Sequence, residues 1–327
     1  MKLLTFVKHN DAIDRPSAGR AGALLSTDEI LDLSLARTSP SLARWIPDSV
    51  RHILEAGEEG LEYVRRLVGE VEEVTDSERE ALRERSALLP LETTQLLAPV
   101  PRPTLVLSAG MNYGQHLKEM GTPKPPHPSA FIKTSTAVIG PGAPIILPPQ
   151  FPDMVDYEGE FSFIFGRACH NVAADDALNY VAGYTIVNDV SARDWAAGTQ
   201  TAKRPMEAVH AWWRNLMGKQ LPTFCPMGPV LVTRDEIADP HELKLTTTLN
   251  GEVMQSANTN DLVFQLPELI AYFSQWYQFL PGDVITTGSP GGVGFARDPQ
   301  VFMKAGDVVA ITVDGVGTLS NPIVATD

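Results

Sequence analysis

The sequence predicts an α+β protein, and three observations carry that expectation. Apolar residues recur at helical spacing early in the chain, at Leu61, Val64, Leu67, Val68, Val71 and Val74. The last hundred residues instead read as short strands broken by one helix, with turn signals at Asn250-Gly251 and Asp314-Gly315. Between these regions Pro99-Val100-Pro101-Arg102-Pro103 cannot continue a helix or donate to an internal ladder. It marks a boundary between a small N-terminal α/β domain, residues 1–100, and a larger domain, residues 104–327.

In order, residues 3–7 form a strand, and 21–25 and 30–35 supply further strand or turn material. The acidic run 58–84 carries interleaved arginines and reads as a solvated helix face. Residues 104–107 resume as a strand, followed by Gly110 and a short polar helix over 112–120. Residues 121–128 hold four prolines and form a poor helix, which suits a lid or active-site loop. Strands follow at 131–135 and 184–190. Residues 195–213 show little periodicity and read as a loop with irregular helix near the site. A strand over 229–233, a hairpin around Asn250-Gly251 and a helix with Pro267 in its first turn come next. That helix presents Leu266, Leu269, Ile270, Phe273 and Trp276. Strands at 284–287, 308–313 and 316–319 close the chain.

Composition narrows the function. A chain of 327 residues with 43% hydrophobic and 20% charged residues describes an ordinary globular protein with a sizeable core. A net charge of −14 argues against nucleic acid or an anionic membrane as partner, because both require a basic surface. Cys169 and Cys225 have neither metal-ligand nor redox spacing and read as small buried apolar residues. The first residues lack the apolar run of a signal peptide, and no apolar stretch of about eighteen residues occurs, so cytoplasm is the expected location.

Chemistry concentrates in Asp156-Tyr157-Glu158-Gly159-Glu160-Phe161-Ser162-Phe163-Ile164-Phe165-Gly166. On a strand, Glu158, Glu160, Ser162 and Ile164 point one way, while Tyr157, Phe161, Phe163 and Phe165 point the other. Two residues of rise separate the carboxylate stems by roughly 6.6 Å. One hard cation with oxygen ligands at about 2.0–2.6 Å could bridge that gap. The stretch fits a solvated edge strand equally well. Asp189 ends an otherwise buried run, where a carboxylate is costly unless paired or metal-bound, and so makes a third ligand. His116 and Glu119 share a helix face, so the carboxylate could orient the imidazole as a general base, although taken alone such a spacing more often marks an exposed pair without function. Lys219 is either a surface lysine or a cation set against a developing oxyanion. The glycine-rich loop 287–294 could hold a carboxylate on its free N–H groups and matches neither a Walker loop nor a nucleophile elbow.

Five motifs, in order, resemble the fumarylacetoacetate hydrolase family from about residue 104 onward. They are Gly110-Met111-Asn112-Tyr113 leading to His116 and Glu119, Asp156-Tyr157-Glu158-Gly159-Glu160, Asn188-Asp189-Val190-Ser191-Ala192-Arg193-Asp194, Gly218-Lys219 ahead of residues 223–229, and the loop 287–294. The resemblance implies a mixed β-roll, a homodimer, and Mg²⁺, Mn²⁺ or sometimes Ca²⁺ held by Glu158, Glu160 and Asp189. It implies a small anionic 2-oxo acid substrate, in the acylpyruvase and hydroxyheptadienedioate isomerase branch, and a role in aromatic catabolism. His116, oriented by Glu119, would activate water for cleavage of a C–C bond in a 2,4-dioxo acid through a metal-stabilised enolate. Lys219 would stabilise negative charge, and Tyr113, Lys133, Arg193, Thr287 and the Gly288 backbone would bind substrate. Decarboxylases and hydroxydienoate isomerases pass through the same enolate, and a non-catalytic binding homologue is the remaining alternative. The chain departs from the family pattern at Ala196, where many relatives carry glutamine, and through the stretch to Trp213. Both departures imply an altered substrate shape.

Overall fold

The central strands of the main sheet are buried along nearly their whole length, so each of its faces packs a separate apolar cluster. The structure, a computed structural model, describes residues 1–8, 19–35, 47–194 and 196–326. The chain opens with β1 (Lys2–Val7), β2 (Arg20–Leu24) and β3 (Glu29–Asp32), then helices α1 (Val50–Glu55), α2 (Gly57–Glu72) and α3 (Asp76–Glu84), then β4 (Leu88–Pro90) and β5 (Gln95–Leu97). Next come β6 (Val106–Gly110), α4 (Gly114–Glu119), β7 (Ser129–Lys133), β8 (Val138–Ile139), β9 (Ile145–Leu147), β10 (Val155–Asp156) and β11 (Gly159–Phe165). They are followed by α5 (Ala174–Ala177), β12 (Val181–Asn188), β13 (Ser191–Ala192), α6 (Ala196–Thr201), α7 (Pro205–Met217) and β14 (Cys225–Thr233). The remainder is β15 (Lys244–Leu249), β16 (Glu252–Asn258), α8 (Leu266–Phe273), β17 (Val284–Thr286), β18 (Val308–Val313) and β19 (Gly317–Ala325).

The main sheet runs β4-β3-β2-β1-β14-β12-β11-β17-β6-β7 and is mixed, with β17 parallel to β6 and most other pairs antiparallel. A second sheet runs β16-β15-β18-β19-β9. The N-terminal strands continue the main sheet, because Lys2 and Leu3 pair with Val232 and Leu231 of β14. One apolar cluster spans that junction, packing Leu3, Leu31, Val64 and Leu67 with Ile164, Leu231 and Val284.

β11 lies inside the sheet, paired with β12 on one side and β17 on the other, which removes the reading of a solvated edge strand. Phe161, Phe163 and Phe165 enter one core cluster while Ile164 enters another, as strict alternation requires. Tyr157 precedes the strand and packs in a third cluster with Val190 and Phe224. The hairpin between β15 and β16 turns through Asn250 and Gly251 with φ of 53° and 83°, the two left-handed positions of a type I′ turn.

Two local expectations need correction. Residues 205–217 form a regular helix, α7, with Pro205 in its first turn and the Glu207 carboxylate accepting from the Lys203 and Arg204 N–H groups. The polar and aromatic mixture hid its period. α8 ends at Phe273, and Trp276 lies beyond it, 69% exposed.

Candidate metal centre and active site

Sheet pairing brings the acidic residues together. Glu160 stands on β11, and Glu158 precedes it in the link from β10. Gly159 pairs with Asn188, and the Asp189 N–H donates to the Glu158 carbonyl at 2.9 Å, so Asp189 faces the two glutamates across the strands. One oxygen from each of Glu158, Glu160 and Asp189 lies within 4.8 Å of the others. All three side chains are buried.

Cations surround the trio. Lys219, just past α7, donates to Glu158 Oε2 at 2.9 Å, Asp189 Oδ2 at 2.7 Å and Ser191 Oγ at 2.7 Å. Lys133, at the end of β7, donates to Asp189 and, at 2.7 Å, to the Lys219 carbonyl. Arg193 follows β13 and reaches Asp156 Oδ2 at 2.9 Å and Glu158. The β10–β13 pairing, Asp156 opposite Ser191, sets that guanidinium in place. Thr286 on β17 donates to Glu160, and Ser108 on β6 donates to Asp189.

These contacts divide the carboxyls electrically. Burial alone would raise Glu158, but the Lys219 ammonium and the Arg193 guanidinium outweigh it and hold the group well below the usual carboxylate range. Glu160 goes the opposite way, raised by burial and then by the charges of Asp189 and Glu158. Burial also raises Asp156, against Arg193. Burial works against the Lys219 ammonium, yet Asp189 and Glu158 raise its affinity for the proton. Four carboxyls (Asp156, Glu158, Glu160 and Asp189) face three cations (Lys133, Arg193 and Lys219), leaving one negative charge in excess if all ionise. Hard oxygen donors, close approach and that excess fit a divalent cation.

A cavity of about 330 Å³ opens over the trio, lined by His116, Glu158, Glu160, Asp189, Arg193 and Lys219 among others. His116 Nδ1 is buried without a hydrogen-bond partner and lies 3.7 Å from Glu119 Oε2. Glu119 itself accepts from the Gly292 N–H at 3.3 Å. Tyr113, Glu119, Lys133, Thr287 and Gly288 do not line the cavity. Tyr113 is buried at the start of α4, and burial raises its phenol. The Thr287 hydroxyl donates to the Phe161 carbonyl at 2.9 Å. Gly288 has a φ of +91°, and a Cβ there would stand 3.1 Å from the Ala109 carbonyl oxygen.

Sequence reasoning missed several residues here. Asp156 anchors Arg193 and accepts from the Gly294 and Phe295 N–H groups at 2.8 and 3.1 Å. Gln255 of β16 ties Ser289 to Gly159 through bonds of 2.8 and 3.0 Å. Trp212, Asn215 and Leu216 reach the cavity from α7. The spacing of Val209, Trp212, Trp213 and Leu216 was the available signal for that helix.

An α+β sheet with a buried carboxylate trio, closed in by lysine and arginine beneath a cavity, defines the class to which the protein belongs. Residues 105–324 match the model described as fumarylacetoacetate (FAA) hydrolase C-terminal, and the chain belongs to the fumarylacetoacetate hydrolase family. It is 42% identical over 279 residues to a mitochondrial oxaloacetate tautomerase of Bos taurus, covering 85% of this chain and 81% of that protein. To the oxaloacetate tautomerase of Bacillus subtilis it is 34% identical over 305 residues, covering 92% and 95%. Among solved structures, maleylpyruvate hydrolase from Sphingobium sp. SYK-6, in complex with manganese(II) and pyruvate, matches with a TM-score of 0.70 and 29% identity over 100% of both chains. A putative HpcE protein from Mycobacterium smegmatis matches with a TM-score of 0.75 and 31% identity over 100% of both chains. Enzymes named as acting on small organic acids thus share this fold. Among the described residues no helix is long and apolar enough to cross a membrane.

Proposed function

We propose that the chain is a divalent-metal-dependent enzyme that interconverts the enol and keto forms of a small 2-oxo acid. The observation that carries this reading is the trio Glu158, Glu160 and Asp189, whose oxygens converge within 4.8 Å beneath the cavity. The likeness to oxaloacetate tautomerases and to a manganese-containing hydrolase supports it. Glu158, Glu160 and Asp189 would hold Mg²⁺ or Mn²⁺, which supplies positive charge against the 2-oxo oxygen where negative charge develops. Lys219 keeps an ammonium at the same end of the cavity. His116, with a buried and unpartnered Nδ1, is the group that moves the proton at the neighbouring carbon, and Glu119 orients its ring.

The test follows decay of the enol absorbance of oxaloacetate with Mg²⁺ or Mn²⁺, with chelator, and in Glu160→Gln. Metal-dependent acceleration that Glu160→Gln abolishes is expected; equal rates in all three conditions would refute the assignment. C–C hydrolysis is the second reading, favoured by His116 at the cavity with Glu119 3.7 Å behind it, because hydrolysis needs a base that activates water. Release of pyruvate from an acylpyruvate that is lost in His116→Ala would establish it, and absence of pyruvate would exclude it.

A further inference from the structure

One face of α7 is turned to the cavity. Trp212, Asn215, Leu216 and Lys219 all line it, and they recur at the three- and four-residue spacing that puts side chains on one side of a helix. The helix ends at Met217, but the Gly218 N–H still donates to the Arg214 carbonyl at 3.0 Å and the Lys219 N–H to the Leu216 carbonyl at 3.2 Å, which carries the turn on to the lysine. The Lys219 ammonium spends its three donors on Glu158, Asp189 and Ser191.

Asn215 is the opposite case. It is 7% exposed, and its Oδ1 has no hydrogen-bond partner. Buried amide oxygens are nearly always bonded, and one left bare carries a desolvation cost that a donor would recover. Packing alone does not call for an amide here, because a leucine fills a similar volume and leaves no polar atom unbonded. The missing partner is a donor. Ketone and carboxylate oxygens only accept, whereas a hydroxyl brings the hydrogen that Oδ1 lacks. Asn215 stands one turn before Lys219, and residues so related have Cβ atoms about 5–6 Å apart. A 2-oxo group beside the Lys219 ammonium and a hydroxyl on the fourth carbon of the same chain are separated by a comparable span.

We propose that Asn215 is a specificity-determining residue whose Oδ1 accepts from a hydroxyl on the fourth carbon of the substrate, so that the cavity prefers 4-hydroxy-2-oxo acids to analogues with a methyl in that place. The inference rests on the 2-oxo acid reading of the carboxylate centre and adds the group recognised beyond it.

Titration calorimetry in the presence of Mn²⁺ tests it. The probes are 4-hydroxy-2-oxobutanoate and 2-oxopentanoate, which differ only by a hydroxyl against a methyl, with oxalate as a reference that needs the carboxylate centre alone. Neither 2-oxo acid has the second carbonyl that C–C hydrolysis requires, so binding is read without cleavage. Wild type should bind the hydroxy acid at least about tenfold more tightly than 2-oxopentanoate. Asn215→Leu should lose that preference while still binding oxalate, which also reports that the variant is folded. Asn215→Asp keeps an acceptor and should keep the order of the two ligands, even where its charge weakens both. Oxalate binding combined with equal or tighter binding of 2-oxopentanoate by wild type would overturn this inference alone. A tenfold preference that survives in Asn215→Leu, or one that is lost in Asn215→Asp, would overturn it as well. Failure of oxalate and of both 2-oxo acids to bind wild type with Mn²⁺ would instead overturn the reading of the centre on which it rests.

Discussion

Lys219 touches Glu158, Asp189 and Ser191 at once while only 6% exposed, so its removal leaves two buried carboxylates short of a partner. Breaking a buried pair from one side costs about 3–5 kcal/mol, far more than the net worth of the pair. Lys219→Met should therefore lose stability of that order in denaturant unfolding. Mn²⁺ should restore a larger share of stability in the variant than it adds to wild type, because it replaces the missing charge. Equal Mn²⁺ effects on the two proteins would show that the ion does not take over the charge of the missing ammonium. Arg193 and Lys133 differ from Lys219 in reach, since Arg193 bridges Asp156 to Glu158 while Lys133 joins Asp189 to a backbone carbonyl. The charge at the centre is therefore shared over three cations.

At the scale of elements, the approach of β11 to the second sheet is set by Gly159. A Cβ at that position would run into the Thr247 side chain and stand 3.1 Å from Ile311 Cγ2. Gly159→Ala should cost about 1–3 kcal/mol through overpacking, and it should weaken Mn²⁺ binding because Glu158 and Glu160 flank the displaced residue. Wild-type Mn²⁺ affinity in this variant, measured by calorimetry, would separate the two effects. A second element-level link joins β3 to α3. Glu29 accepts from Arg83 Nε at 2.7 Å and from Arg79 Nη1 at 3.2 Å. The hydrogen bond from Arg83 is the largest influence, and it lowers the Glu29 carboxyl below its ordinary 4.5 despite the opposing effect of burial. A depressed carboxylate contributes stability that is present above its unfolded value and lost as pH falls through its folded value. Glu29→Gln should thus be less stable than wild type at pH 7, with the gap closing as pH drops below 4.5. A gap independent of pH would rule out the ionic contribution.

For the whole molecule, the continuous sheet from β4 to β7 makes the N-terminal strands part of the same packing problem as the site. Leu3 is fully buried in the cluster that also holds Ile164, which lies on β11 four residues beyond Glu160. Leu3→Ala should cost about 2–5 kcal/mol and should move the unfolding signals of both regions together. Two separated transitions would show that residues 1–100 unfold independently.

Local chemistry was sufficient for part of this. Alternation from Glu160 to Phe165 specified which side chains share a face, Asn250-Gly251 specified its turn, and two glutamates with an aspartate at the end of a buried strand pointed to an acidic cluster that the structure brings together. These features depend on neighbours within a few residues, where spacing and backbone preference act directly. Other features depended on partners far along the chain. Whether β11 lay at an edge or in the interior was decided by β12 and β17, and the contact of Lys2 and Leu3 with β14 joins the chain start to residues 231 and 232. The anchoring of Arg193 by Asp156 required the pairing of β10 with β13. One side of the cavity required α7 to pack beside it, bringing Trp212 and Asn215 to the lining. The sequence by itself determined the strand faces, the turn and the acidic residue types proposed to hold a cation. Tertiary structure decided which of those residues meet, because long-range register is selected by the burial of whole sheet faces, a quantity that no short window of sequence contains.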